Sequence, residues 1–346
     1  MDKHTVIGID LAKRSIQVCM VNTHSNRVIK NKAVSSKKLI TYLANIKPCQ
    51  VFMEACSSAH YWARQLNKLG FEIKLISPQH VVRHRLGQKT DANDALAIAE
   101  AGLRTKMHFV TPKGIEQQNI QTLERVRELM VKQKTQVTNQ VHGLLLEFGI
   151  VSAPGLKALK ASIALALEDG ENELTWEMRV LFEEQRDEIV RLHDRINELK
   201  KRMEKYSRTV APCKMLSAIP GVGPIGAGLL YVALGDGKSY QNGRQAAANA
   251  GVTPKQHSTG GIVSMYGIGK RGNGRLKAVL IRGAHAVIKN IGDKEDRLSC
   301  WIRELLKRVC VNKAAVALAN KIMRTAWAIL RHERRYEAEI ATMIAV

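Results

Sequence analysis

The sequence predicts a chain in three parts, α/β and then α: a mixed domain over residues 1–112, two long helices over 113–210, and a mostly helical, basic region over 211–346. Three observations carry this. Short β-branched runs alternate with helical stretches in the first part. Apolar residues then recur at steps of three and four. From 251 onward the chain holds 18 Lys and Arg against 7 Asp and Glu.

In the first part, "TVIGID" and "SIQVCMVN" are two strand-like runs separated by "LAKR", which predicts a strand, a tight turn and an antiparallel partner. "QVFMEA" and "EIKLISP" read as two further strands. Between them "SAHYWARQLNKLG" reads as a helix stopped by Gly70. "QKTDANDALA", Gln88 to Ala97, opens an alanine-rich helix on which Asp91 and Asp94, three apart, share a face and repel each other.

In the second part, positions 120, 123, 127, 130, 134, 137, 141, 144 and 148 form a heptad seam with two cations in it, Arg127 and Lys134. They fit partner specification, an RNA contact, or stems that pack while their heads reach water. A second seam runs from Leu174 through Met178, Leu181, Gln185, Ile189, Leu192, Ile196, Leu199 and Met203 to Tyr206, with a stutter around Gln185. Two helices joined near "VSAPGLKAL" thus predict a coiled-coil arm, closing within one chain or between two.

Composition narrows the function. The chain of 346 residues carries 54 Lys and Arg against 31 Asp and Glu, a net charge of +23, which calls for a polyanionic partner. No apolar run reaches the length of a spanning helix, and the N-terminus has no signal-peptide pattern, so a cytoplasmic protein without a membrane partner is expected. Six cysteines without zinc spacing predict reduced, mostly buried thiols. Aromatics are 5% of residues, so stacking platforms for single strands are few.

Two stretches in the third part stand out. "IPGVGPIGAGLL" reads as a helix-hairpin-helix turn, in which Gly221 and Gly223 let backbone N–H groups approach a phosphate. "AGVTPKQHSTGGIVSMYGIGKRGNGRLKAVL" places Ser258 and Thr259 before Gly260 and Gly261, in a loop expected to be mobile. Lys255, Lys270, Arg271, Arg275 and Lys277 surround it. Hydroxyls in such a cationic setting are where a scissile phosphate can meet a nucleophile.

Asp10 and Glu54 each end an apolar strand. With Asp91 and Asp94 they resemble the acids of the ribonuclease H-like nuclease fold. Converging carboxylates stay ionised near neutral pH only around divalent cations, and a pair of Mg²⁺ ions so held serves phosphodiester displacement. Lys89 lies where it can meet a phosphate.

"GIDLAK", "MEACSS", "KTDANDALAIAE", "IPGVG" and "AGVTPKQHSTGG" occur in the order and spacing of the DEDD-type insertion-sequence transposases, the serine-dependent recombinases guided by a bridge RNA. The chain resembles them end to end. The resemblance implies a ribonuclease H-like (RuvC-like) domain, a coiled-coil arm and a C-terminal transposase domain. It makes Asp10, Glu54, Asp91 and Asp94 the catalytic, Mg²⁺-binding tetrad. The family's nucleophile falls on Thr259 by strict spacing from Pro254, while Ser258 is the serine beside it; Ser258 is the first choice and Thr259 the second. Donor and target DNA, a guide RNA, and dimers assembling into a tetramer are the implied partners, with the tetrad of one protomer facing the serine loop of another. Two other readings remain: a structure-selective nuclease of the Holliday-junction type using the acids alone, and a non-enzymatic nucleic-acid scaffold.

Overall fold

A computed structural model of the chain describes residues 2, 4–84, 87–105, 107–270 and 272–338. It divides into two compact bodies, Met1–Gln117 with Leu234–Gln241, and Gln118–Ala233 with Asn242–Val346.

The first body is built on a six-stranded sheet: β1 (Thr5–Asp10), β2 (Ser15–Asn22), β3 (Val28–Ser35), β4 (Gln50–Glu54), β5 (Glu72–Ile76) and β6 (Phe109–Val110), in the order β3-β2-β1-β4-β5-β6. β1 pairs antiparallel with β2 and parallel with β4; β4 and β5 are parallel. The helices are α1 (Leu39–Ala44), α2 (Ala59–Lys68), the short α3 (Pro78–Val81) and α4 (Asp91–Gly102). Strand alternation sends Ile7, Ile9, Val51 and Met53 to one face, where they join Leu39 and Leu43 of α1 and Ala63 and Leu66 of α2. Val6 and Phe52 face the other way, into a core with Ala95, Ile98 and Ala99 of α4. A mixed sheet with helices on both faces is compatible with the ribonuclease H-like expectation.

α4 lies unusually close to the sheet, and two glycines are the reason. A Cβ on Gly8 would stand 2.2 Å from the Ala95 carbonyl oxygen and 2.7 Å from the Ala99 nitrogen. At the far end of α4, a Cβ on Gly102 would stand 2.2 Å from the Phe52 ring. No side chain other than hydrogen fits either position without moving helix and sheet apart.

The second body is helical: α5 (Ile115–Glu147), α6 (Leu156–Glu168), α7 (Trp176–Thr209), α8 (Ala211–Leu216), α9 (Pro224–Leu234), α10 (Gly243–Ala250), α11 (Gly274–Lys289), α12 (Arg297–Leu306) and α13 (Val311–His332), with one ribbon of β7 (Pro254–Thr259) and β8 (Ile262–Ile268). Val141 and Leu145 of α5 share an apolar cluster with Leu159 and Ile163 of α6 and Phe182 and Ile189 of α7, so these ends meet within one chain. The second seam holds at Ile189, Leu192, Ile196, Leu199 and Met203, all buried. Before the stutter Phe182, not Leu181, takes the core place. The joining segment also contains α6, a 13-residue helix. Arg179 ties down its end, donating to the carbonyls of Ala166, Leu167, Asp169 and Leu174.

Arg127 is not a partner-specifying surface cation. It is buried and donates to Glu124 at 2.8 and 3.2 Å, and Glu124, 2% exposed, also accepts Nε of Arg275 at 2.8 Å. Nor are the thiols all inside: Cys300 and Cys310 are exposed. No helix among the described residues is long and apolar enough to cross a membrane.

Gly8→Ala tests the glycine seat. Forcing a methyl against the α4 backbone is expected to cost roughly 1–3 kcal/mol of stability, read as a lower urea midpoint. An unchanged midpoint would mean that α4 does not rest on β1.

Candidate active site

The sheet's pleat decides where the acids go. Gly8 and Asp10 share a face of β1, Phe52 and Glu54 share one of β4, and Gly8 and Phe52 both press on α4. Asp10 and Glu54 therefore stand on the α4 side. The parallel register sets Ile9 beside Met53, which makes the two acids neighbours at the C-terminal ends of adjacent strands.

α4 brings the other two. Its N-cap is Thr90, in an extended conformation, whose hydroxyl accepts the Asn93 N–H at 3.3 Å. The Asn93 amide donates to the Gln88 carbonyl at 2.9 Å, which fixes the approach through Lys89. Asp91 and Asp94 then fall in the first turn, where the helix dipole favours negative charge. Since Gly8 touches Ala95, Asp94 lies one residue from the helix–strand contact.

A tie absent from the sequence-based reading reinforces this placement. Gln17 of β2 sits directly across from Asp10. Its amide donates to Asn31 Oδ1 at 2.6 Å, and Asn31 Nδ2 donates to the Ala92 carbonyl at 3.0 Å. Two amides thus fasten the first turn of α4 to the strands beside Asp10.

This proximity shapes the electrostatics. Burial, then the charges of Asp94, Asp91 and Glu54, push the Asp10 carboxyl from 3.8 up to about 6, with Lys89 opposing. Glu54 is raised by burial and by Asp94, again opposed by Lys89. Asp10 is thus within electrostatic reach of the other three acids and of Lys89, and Glu54 within reach of Asp94 and Lys89. Among the described residues, however, no three His, Cys, Asp or Glu side chains converge tightly enough to enclose a metal ion. The four side chains offer only hard carboxylate oxygens, the chemistry that hard divalent cations take, and their mutual repulsion is what such a cation relieves.

The third-region residues are placed differently from expectation in several respects. Ser258 and Thr259 lie on β7, and Gly260 and Gly261, with φ of 57° and 80°, make the two-residue turn to β8. The stretch forms an antiparallel ribbon, with a register shift between Pro254 and Gln256, and not a loop, because two successive positive φ angles are what such a turn needs. Ser258 is exposed, and its hydroxyl accepts the Gln256 amide at 2.8 Å. Lys255 reaches Gly269, and Lys277 Nζ donates to the Gly269 carbonyl at 2.7 Å, so both lie at the ribbon's base with Lys270. Arg275 is committed to Glu124, and Arg271 lies outside the described residues. Gly221, φ 84°, also packs closely: a Cβ there would stand 2.9 Å from the Gly283 carbonyl of α11. Gly223, just before α9, is open.

Two expectations follow. The native Asp10 carboxyl holds its proton to about pH 6, whereas the unfolded one releases it near 3.8. In EDTA the stability contributed by this group is full below about pH 4 and is lost as the pH rises to about 6. Thermal melts should show that decline, and Asp10→Asn should remove part of it; identical pH profiles would count against the coupling. Asn31→Ala is expected to raise about tenfold the Ca²⁺ concentration that gives half the thermal shift. A lower melting point with unchanged half-saturation would mean that the tie serves folding alone.

Comparison with known proteins identifies the family. A DEDD-type family model described as a transposase matches residues 7–150, and one described as transposase of the IS116/IS110/IS902 family matches residues 213–300. A probable family 20 transposase of Pseudomonas aeruginosa is 40% identical over 95% of this chain and 98% of that protein. The transposase for insertion sequence element IS1328 of Yersinia enterocolitica is 38% identical over 95% and 97%, and that for IS1111A of Coxiella burnetii 35% identical over 96% and 91%. The four acids fall within the first matched segment and both hydroxyls within the second, and the chain belongs to the IS116/IS110/IS902 family of insertion-sequence transposases.

Proposed function

We propose that this transposase cuts and rejoins DNA through a hydroxyl nucleophile, with Mg²⁺ held by Asp10, Glu54, Asp91 and Asp94, and that a guide RNA selects donor and target. The observation that carries the reading is the coupling of Asp10 to the other three carboxylates, which gather from two strand ends and one helix turn. Bound Mg²⁺ would supply Lewis-acid stabilisation of the phosphate oxygens. Lys89, which lowers the proton affinity of Asp10 and Glu54, is a cation placed to meet a DNA phosphate beside them.

In the proposed step the Ser258 oxygen, or Thr259 in its place, attacks a DNA phosphorus. A protein–phosphate ester forms as the bond to one deoxyribose oxygen breaks, and that oxygen leaves with a proton. A deoxyribose hydroxyl from the other DNA then reverses the step, restoring the protein hydroxyl and joining the strands. The net charge of +23 fits a protein that holds nucleic-acid backbones while base pairing to a guide supplies the sequence choice. In the same reading the protein is cytoplasmic, works as dimers that assemble into a tetramer on DNA, and is organised with functional boundaries near 112 and 210, the α5–α7 helices acting as a coiled-coil arm and the Ile219–Leu230 stretch as a helix-hairpin-helix turn.

A second reading, a nuclease of the Holliday-junction type, has one observation in its favour: the acids and the hydroxyls belong to different compact bodies. Trapping on suicide DNA separates the two. A covalent protein–DNA adduct is expected from the native chain, lost in the Ser258→Ala, Thr259→Val double variant and in Asp10→Asn. Cleavage by the double variant at the native rate, without adduct, would establish the nuclease instead.

A further inference from the structure

The ribbon β7–β8 leaves its apolar residues in the open. Ile262, Val263, Met265 and Tyr266 are 73%, 59%, 60% and 58% exposed, and the residues of β7 are exposed throughout. The register pairs Ser258 with Val263 and Thr259 with Ile262, so the apolar tip and the hydroxyls are the same few residues. Two strands alone are marginal in water, and four large apolar side chains on them are a cost unless something covers them.

Charge identifies what covers them. From Asn242 through Gly292 the sequence has eight Lys or Arg and no Asp or Glu. Lys255, Lys270 and Lys277 stand at the base of the ribbon. A protein surface docking on the tip alone would ignore this uninterrupted positive field, which suits a polyanion. Duplex DNA supplies both parts: phosphates for the base, and a groove floor between them for the tip. The groove follows from side-chain type. The hydrogen-bonding side chains sit mainly on β7, whereas β8 beyond the turn carries Ile262, Val263 and Met265, and Ile and Met belong to the side chains that enter the minor groove and wedge between base steps.

We propose that the Pro254–Ile268 ribbon inserts its apolar tip edge-on into the minor groove of duplex DNA, with Ile262 on one flank and Met265 on the other lining the groove and the basal lysines on the flanking phosphates. The proposal rests on the hydroxyl-nucleophile reading only for its purpose, which is to bring a groove-edge phosphate to Ser258 or Thr259; the docking itself stands on exposure and charge.

The test uses the full chain and a mixed-sequence duplex. With p-benzoylphenylalanine at position 262, irradiation is expected to give protein–DNA adducts, in higher yield than with the same group at the still more exposed Val151. Ile262→Ser with Met265→Ser should weaken duplex binding about tenfold while leaving its salt dependence unchanged. Lys255→Gln with Lys270→Gln should lower the slope of log affinity against log salt by roughly 1–2. Adducts between copies of the chain without DNA adducts would overturn the proposal, as would equal yields at 262 and 151 or serine variants that bind like the native protein. Asp10→Asn keeps the crosslinks if docking is correct and loses cleavage if the acid reading is correct, so either idea can fail alone.

Discussion

Everything at the acidic site depends on how near a helix can come to a strand. α4 rests on β1 with backbone almost touching backbone, because position 8 offers a hydrogen where any other residue would place a carbon 2.2 Å from a carbonyl oxygen. That contact sets the height of the first helical turn above the strand end. It makes Asp91 and Asp94 companions of Asp10 and Glu54 across intervals of about forty and eighty residues. Gly102 makes a second close approach, against the Phe52 ring, so the helix is seated on the sheet at two points.

The stability of such a site runs against its chemistry. Four carboxylates are drawn together by packing that has nothing to do with charge, and Asp10 answers by holding its proton toward neutral pH. The opposing influences are modest: one lysine, a helix dipole, and a pair of amides that grip the backbone rather than the acids. Apolar burial beneath α4, from Val6, Phe52 and Ile98, is what tolerates the repulsion above it.

Much of this was legible in the sequence, and the illegible remainder has a common cause. β1, β2, β4 and β5 announce themselves as β-branched runs, α2 by its glycine stop, and α4 by the threonine cap ahead of an alanine-rich stretch. The four acids stand out because each terminates or opens such an element. β3, a sheet-edge strand with lysines at 30 and 32 and one buried residue, carries no apolar signature. The link from Gln17 through Asn31 to Ala92 depends on strand register, which no local pattern encodes. Arg127 had a visible partner three residues upstream in Glu124, but Arg275 joins them from 151 positions away. The ribbon's signal is present, two glycines between strand-like runs, but it reads equally as loop freedom because the same glycines serve both ends.

The two-residue turn has one more consequence. Neighbouring residues on a strand project to opposite sides, and the register groups Ser258 with Val263 and Met265, Thr259 with Ile262. The ambiguity between the two hydroxyls is thus a question of handedness, of which flank of the ribbon meets the scissile strand. A single residue inserted or removed before Gly260 would exchange the flanks, handing the alcohol from a primary to a secondary carbon.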